Sequence, residues 1–124
     1  MTLSRRNFIQ LGAPAGPYTH AVLHKDTLYT SGFTAFGTGA QNGPADKQAH
    51  AILDQLDFIA GEYGKSLQDI VKVTLFVTDH TDIPSIREAL AARYGKAVPA
   101  SSLVLVSGLF AAGLKVEIEA IFAI

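Results

Sequence analysis

Apolar and polar positions along the chain repeat with two different periods. Residues 21–24 and 27–33 are short apolar runs flanking the polar pair Lys25-Asp26, the pattern of a hairpin. Over residues 46–63, Ile52, Leu53, Leu56, Ile59, Ala60 and Tyr63 recur at three- and four-residue steps, which predicts an amphipathic helix. Asp46 is its expected N-cap, and Gly64 the left-handed residue just past its end. Ser66-Leu67-Gln68-Asp69 then reads as a capping box opening one short turn. Val71, Val73, Leu75 and Val77 alternate with Lys72, Thr74 and Phe76, as in a half-buried strand. Residues 82–94 form a second helix with Pro84 in its first turn, where the missing N–H costs little. Residues 102–106 and 114–124 are the last two strands. In the final one Leu114, Val116, Ile118, Ala120, Phe122 and Ile124 face one way, while Lys115, Glu117, Glu119 and Ile121 face the other.

Two strands, a helix, a strand, a helix and two strands suggest an α+β sandwich with the helices covering one face of a sheet. The 124 residues are enough for one domain over 1–124. Phe76, Val104, Val106 and Ile121 cannot all lie under the helices together with their alternate neighbours, so the second face needs a cover. Association with further copies of the chain is the simplest one. Composition sharpens this: 48% of residues are hydrophobic and only 17% charged, against about 25% charged in a typical domain. Residues 34–45, with Gly37, Gly39 and Gly43, form a loop of the length that is often functional. Internal repeats, low-complexity tracts and linkers are not discernible.

The absence of cysteine rules out a disulfide framework, a thiolate zinc site, an iron–sulfur cluster and a cysteine nucleophile. It fits a reducing cytoplasm, the expected location. Ten Lys and Arg stand against eleven Asp and Glu, and the basic residues are scattered, so no electrostatic footprint for nucleic acid is expected. Ser4-Arg5-Arg6-Asn7-Phe8-Ile9 looks like a twin-arginine export motif, but the apolar segment that should follow is interrupted by Gly12, Pro14, Gly16 and Pro17. Residues 97–114 carry no charge, yet Pro99, serines and glycines make them strand and loop rather than a membrane span.

Gly37-Thr38-Gly39 lacks the third glycine and the helix start of a dinucleotide fingerprint, and no P-loop occurs. His20, His24, His50 and His80 show no metal-ligand spacing, so no metal is expected. Glu117 and Glu119 share one strand face. They read either as a solvated edge paired with Lys115, or as a carboxylate that lines a pocket and positions a water.

Gly16-Pro17-Tyr18-Thr19-His20-Ala21 followed by Leu28-Tyr29-Thr30-Ser31-Gly32 resembles the opening of the Rid/YjgF family of reactive-intermediate deaminases. The resemblance continues through Asp69-Ile70-Val71-Lys72-Val73 with Val77-Thr78-Asp79. It ends with Val98-Pro99-Ala100-Ser101-Ser102 and Val116-Glu117-Ile118-Glu119-Ala120. These blocks keep the family's order across almost the whole chain. The resemblance implies a chorismate-mutase-like α+β fold, a homotrimer with small-molecule pockets at its subunit interfaces, and cofactor-independent hydrolysis of enamines or imines to a carbonyl compound and ammonia. It implies that Glu117 helps place the water and that Tyr18 and Ser31 contact the substrate.

The sequence departs from the family at several of these positions. An arginine usually follows the Pro-Ala pair and holds the substrate carboxylate through a bidentate pair; here the residue is Ser101. A hydroxyl forfeits a charge-assisted bond worth roughly 1.5 to 3 kcal/mol, so a substrate other than the usual amino-acid imine is expected. Phe33 replaces a frequent glutamine and makes the pocket mouth more apolar. His20 replaces another glutamine and is expected to donate or titrate near neutrality. Arg87 falls on the second helix where a pocket asparagine is common, and either supplies the missing cation or is a surface arginine. The alternatives to a deaminase are a non-catalytic trimer binding a small metabolite, and an interaction protein acting through its apolar surface.

Overall fold

The computed structural model describes residues 2–124. Its strands are β1 (Leu3–Arg6), β2 (Ala21–His24), β3 (Thr27–Thr30), β4 (Ile70–Val77), β5 (Ala100–Leu105) and β6 (Val116–Ala123). Its helices are α1 (Ala45–Gly61) and α2 (Ile83–Tyr94). The strands form one sheet in the order β1-β2-β3-β6-β4-β5. Only β4 and β5 are parallel, and α2 is the crossover that a parallel neighbour requires. The fold is the expected α+β sandwich.

Both helices bury their apolar stripes on one face of the sheet. Ile52, Leu53, Leu56 and Ile59 of α1 and Ile86 of α2 pack with Val73, Leu75 and Val77 of β4 and with Val116, Ile118 and Phe122 of β6. Each such side chain contributes roughly 1.5–3 kcal/mol when fully withdrawn from water, so this layer is the main source of stability. The buried Gln48 ties it to the loops. Its amide nitrogen donates to Gly43 O at 3.1 Å and Gly113 O at 2.7 Å, and its Oε1 accepts from Lys115 N at 2.9 Å. The opposite face carries Tyr29, Phe76, Val104 and Ile121 without helix cover. Among the described residues no helix is long and apolar enough to cross a membrane.

Four local expectations need correction. The hairpin gains a third strand, β1, at the sheet edge; all four of its residues are exposed, so no hydrophobic period marks it. Arg5 and Arg6, the pair that looks like an export motif, lie in that strand, with Arg6 bonded to Glu62 at 2.7 Å. Helix α1 begins after Pro44 rather than Asp46, because Pro44 holds the extended N-cap conformation and Asp46 falls in the first turn. A bulge between Ile70 and Lys72 buries Ile70 and turns Val71 outward. Finally, β3 stops at Thr30 and meets β6 again only at Phe33. The capping box at Ser66 and Asp69 and the left-handed Gly64 are as expected.

The hydroxyls of Tyr63 and Tyr94 are buried with no hydrogen-bond partner among the described residues, and burial pushes the Tyr94 phenol up to about 12. An unpaired buried hydroxyl costs stability. Tyr94→Phe is expected to raise the unfolding free energy by about 1 kcal/mol in urea titrations; a loss of that size would show the hydroxyl to be satisfied.

Candidate functional site

The site forms where β3 runs out. Beyond Thr30 the chain passes through Ser31 and Gly32 and pairs with β6 at Phe33. The Phe33 N–H donates to Ile118 O at 2.9 Å, and Ile118 N–H donates back to Phe33 O at 3.0 Å. Strand alternation then sends Ile118 into the core and Glu117 to the open face. The Glu117 carboxylate lies directly against Gly32, where a Cβ would come within 2.8 Å of its Cδ. Gly32 is not in the left-handed region; a side chain here would have to push the Glu117 carboxylate out of the position it occupies.

Glu117 is half-buried. Loss of water raises its carboxyl above the ordinary value, and the like charge of Glu119 adds to the rise. It borders a cavity of about 480 Å³ whose other walls are Ala15, Tyr18, Ser31, Gly32 and Phe110, a volume ordinary for a small-molecule site. The Tyr18 hydroxyl accepts from Ala15 N at 3.2 Å, leaving its own proton for a ligand. Ser31 donates its hydroxyl proton to Thr19 O at 2.5 Å, so toward the cavity it offers a lone pair. The cavity thus combines a carboxylate of raised proton affinity, a phenol donor, a hydroxyl acceptor and an aromatic wall. No lysine, arginine or histidine lines it among the described residues.

Of the residues singled out from sequence, Glu117, Tyr18 and Ser31 come together in this cavity, and Phe33, Arg87 and Ser101 do not line it within one chain. Phe33 is buried and borders a second pocket of about 100 Å³, whose wall the larger cavity shares at Ala15, Tyr18, Gly32 and Phe110. Arg87 is exposed on α2. Ser101 is exposed on β5, in register with Val73.

His20 requires a correction. It is 4% exposed, stacked on Phe8 at 6.1 Å, and its Nδ1 accepts from Phe8 N at 3.0 Å. Burial lowers its pKa from the ordinary value, so the ring is neutral at pH 7 with its proton on Nε2. Sequence reasoning passed over Phe110, Ala15 and Gly32. Phe110, 64% exposed and set against Phe36 at 5.1 Å, had one available signal: a bulky ring in a loop of small residues.

The raised Glu117 pKa has a definite sign. A carboxyl whose pKa is higher in the folded state stabilises the protein below its unfolded value and loses that contribution as pH rises through the folded one. Ionised Glu117 therefore costs stability at pH 7. Glu117→Gln is expected to raise the melting midpoint at pH 7 and to give little gain near pH 4, measured by circular dichroism.

Residues 9–124 match the protein-family model described as Endoribonuclease L-PSP. The chain is 36% identical over 116 residues to the 2-iminobutanoate/2-iminopropanoate deaminase of Escherichia coli K12, covering 88% of this chain and 90% of that protein. It is 30% identical over 114 residues to the protein of the same name from Dermatophagoides farinae, covering 90% and 88%. In three dimensions it matches YyfA, a Rid-family protein of unknown function from Yersinia pestis, with a TM-score of 0.89, 28% identity and coverage of 99% and 100%. A single family model spanning nearly the whole chain, with relatives of this identity and a superimposable fold, shows that the chain belongs to the Endoribonuclease L-PSP family, the Rid/YjgF family.

Proposed function

We propose that the chain is a cofactor-independent hydrolase that converts reactive enamines or imines to a carbonyl compound and ammonia. The observation that carries this reading is the Glu117 carboxylate, half-buried against Gly32 in a cavity of substrate size, with its proton affinity raised. A base of raised pKa accepts a proton more readily near neutrality. The deaminase names of the relatives support the same chemistry.

In the proposed reaction an enamine first takes a proton at carbon from solvent and gives one up from nitrogen, becoming the imine. Glu117 accepts a proton from water as the water oxygen bonds to the imine carbon, and the C=N pair moves to nitrogen, which takes a proton from solvent. The carbinolamine then collapses: Glu117 returns its proton to nitrogen, the C–N bond breaks with its pair leaving on ammonia, and the hydroxyl gives its proton to solvent as its oxygen pair forms C=O. Water and imine in, carbonyl compound and ammonia out; the carboxylate is regenerated. Tyr18 donates a hydrogen bond to the substrate, and Ser31 accepts one.

The active form in this reading is a homotrimer. The uncovered sheet face with Phe76, Val104 and Ile121 would be buried between copies, and Ser101 would reach the cavity from an adjacent copy while Arg87 stays a surface arginine of α2. Ser101 in place of arginine, together with a lining free of cations, favours a substrate that depends less on a carboxylate than the usual 2-imino acid. The same lack of a cation is the observation behind a second reading, a trimer that binds a neutral metabolite without turnover.

Ammonia release separates the two. Under the hydrolase reading, Glu117→Gln loses about 100-fold or more in kcat while the trimer mass persists in light scattering. Equal turnover by the variant rejects the role of Glu117, and a ligand-dependent melting shift without turnover by the wild type selects the binding reading. The acid limb of the pH profile is expected above the ordinary carboxylate range. Glu119→Gln removes a like charge and should move that limb to lower pH; an unmoved limb would assign it to another group.

A further inference from the structure

The smaller pocket behind the Gly32 wall is not the bland apolar recess that three phenylalanines would make. Two of the residues that line it each carry a polar atom with no hydrogen-bond partner among the described residues. His20 has Nδ1 committed to Phe8 N, so its proton sits on Nε2. That N–H has no partner among the described residues, although the residue is 4% exposed and lines the pocket. Gln55 turns its amide nitrogen to two carbonyls, Thr34 O at 2.9 Å and Ala51 O at 3.2 Å. Two carbonyl neighbours leave no freedom to flip the amide. Its Oε1 is therefore the end left without a partner among the described residues, on a side chain that also lines the pocket. Beside the hydroxyls of Tyr18 and Thr34, the recess thus presents an imidazole N–H donor and an amide oxygen acceptor among the rings of Phe33, Phe36 and Phe110.

We infer that this pocket is a side-chain subsite of the candidate site, selecting substrates whose non-reacting arm ends in a primary carboxamide. The shared wall of Ala15, Tyr18, Gly32 and Phe110 joins it to the cavity that holds Glu117. Its volume of about 100 Å³ equals that of about three waters, room for a short branched arm. A carboxamide matches both groups, since its oxygen accepts from His20 Nε2–H and its NH₂ donates to Gln55 Oε1. Its flat faces lie against the rings. An alkyl arm of the same shape would fill the volume, displace water and leave both polar groups unpaired, and a site built for hydrogen bonds discriminates strongly against such an analogue. The inference deepens the hydrolase reading and rests on it for the reaction, but the pocket's chemistry can be read without turnover.

Asparagine and leucine have side chains of the same shape, one ending in a carboxamide and the other in two methyls. Their 2-imino acids, generated in place by an amino-acid oxidase, share the carboxylate and the reacting carbon, so only the arm differs. The expected result is a kcat/KM at least about tenfold higher for the asparagine-derived imine, with spontaneous hydrolysis subtracted. Gln55→Met should collapse that ratio toward one. Because Gln55 also holds Thr34, the wild-type ratio alone decides if the variant misfolds: equal rates, or a preference for the leucine-derived imine, overturn the inference. If neither imine is turned over, 2-imino acids are not the substrates of the hydrolase reading, and the melting shifts given by the two unconverted amino acids decide the subsite by themselves. A larger shift with asparagine supports it; equal shifts or none overturn it.

Discussion

The two hydrogen bonds between Phe33 and Ile118 set almost everything about the site. They resume a pairing that β3 abandons at Thr30, and they fix which residues of β6 face which way. A slip of one residue would send Glu117 into the core and Ile118 to the open face. The large apolar residues of β6 would then lose their partners on α1 and β4, each at a cost of roughly 1.5–3 kcal/mol. The register is therefore held by the core, and the position of the acid follows from it. Gly32 completes the arrangement by vacating the space the carboxylate fills.

Stability and chemistry are divided between the two faces of the sheet. The helix side is closed by Ile52, Leu53, Leu56, Val73, Ile118 and Phe122, all fully buried. On the open side, Glu117, Glu119, Tyr29 and Phe76 meet at a surface where neither water nor protein dominates. A carboxylate in such a boundary is partly desolvated without being sealed off, which raises its proton affinity while leaving a path for a small molecule. His20 shows the other extreme. Deeper burial makes it a fixed neutral donor instead of a group that changes charge near pH 7.

Much of this was legible in the amino-acid sequence because it is written in periods. The apolar stripe of α1, the alternation of β6, the capping box at Ser66 and the location of Glu117 on the uncovered face all follow from spacing. The resemblance in the blocks around Tyr18, Ser31 and Glu117 carried the family. What spacing could not convey was contact between distant segments. Strand β1 has no buried residue and so no period to detect. The bulge at Val71 interrupts an alternation that looks unbroken on paper. Phe110 matters because its loop folds back over Phe36, and Gln55 because two carbonyls orient its amide. For His20, spacing leaves donor and titrating group open, and its packing against Phe8 and Phe33 selects the donor.

The double role of Phe110 has an energetic consequence. One ring forms part of the wall of both pockets, and the loop that carries it is tied down at Ala112 O and Gly113 O by Gln41 and Gln48. A molecule that settles the ring while filling one recess shapes the other. Occupancy of the two is then linked, and linkage is reciprocal: whatever the arm adds to affinity at the reacting end, the reacting end adds to affinity for the arm.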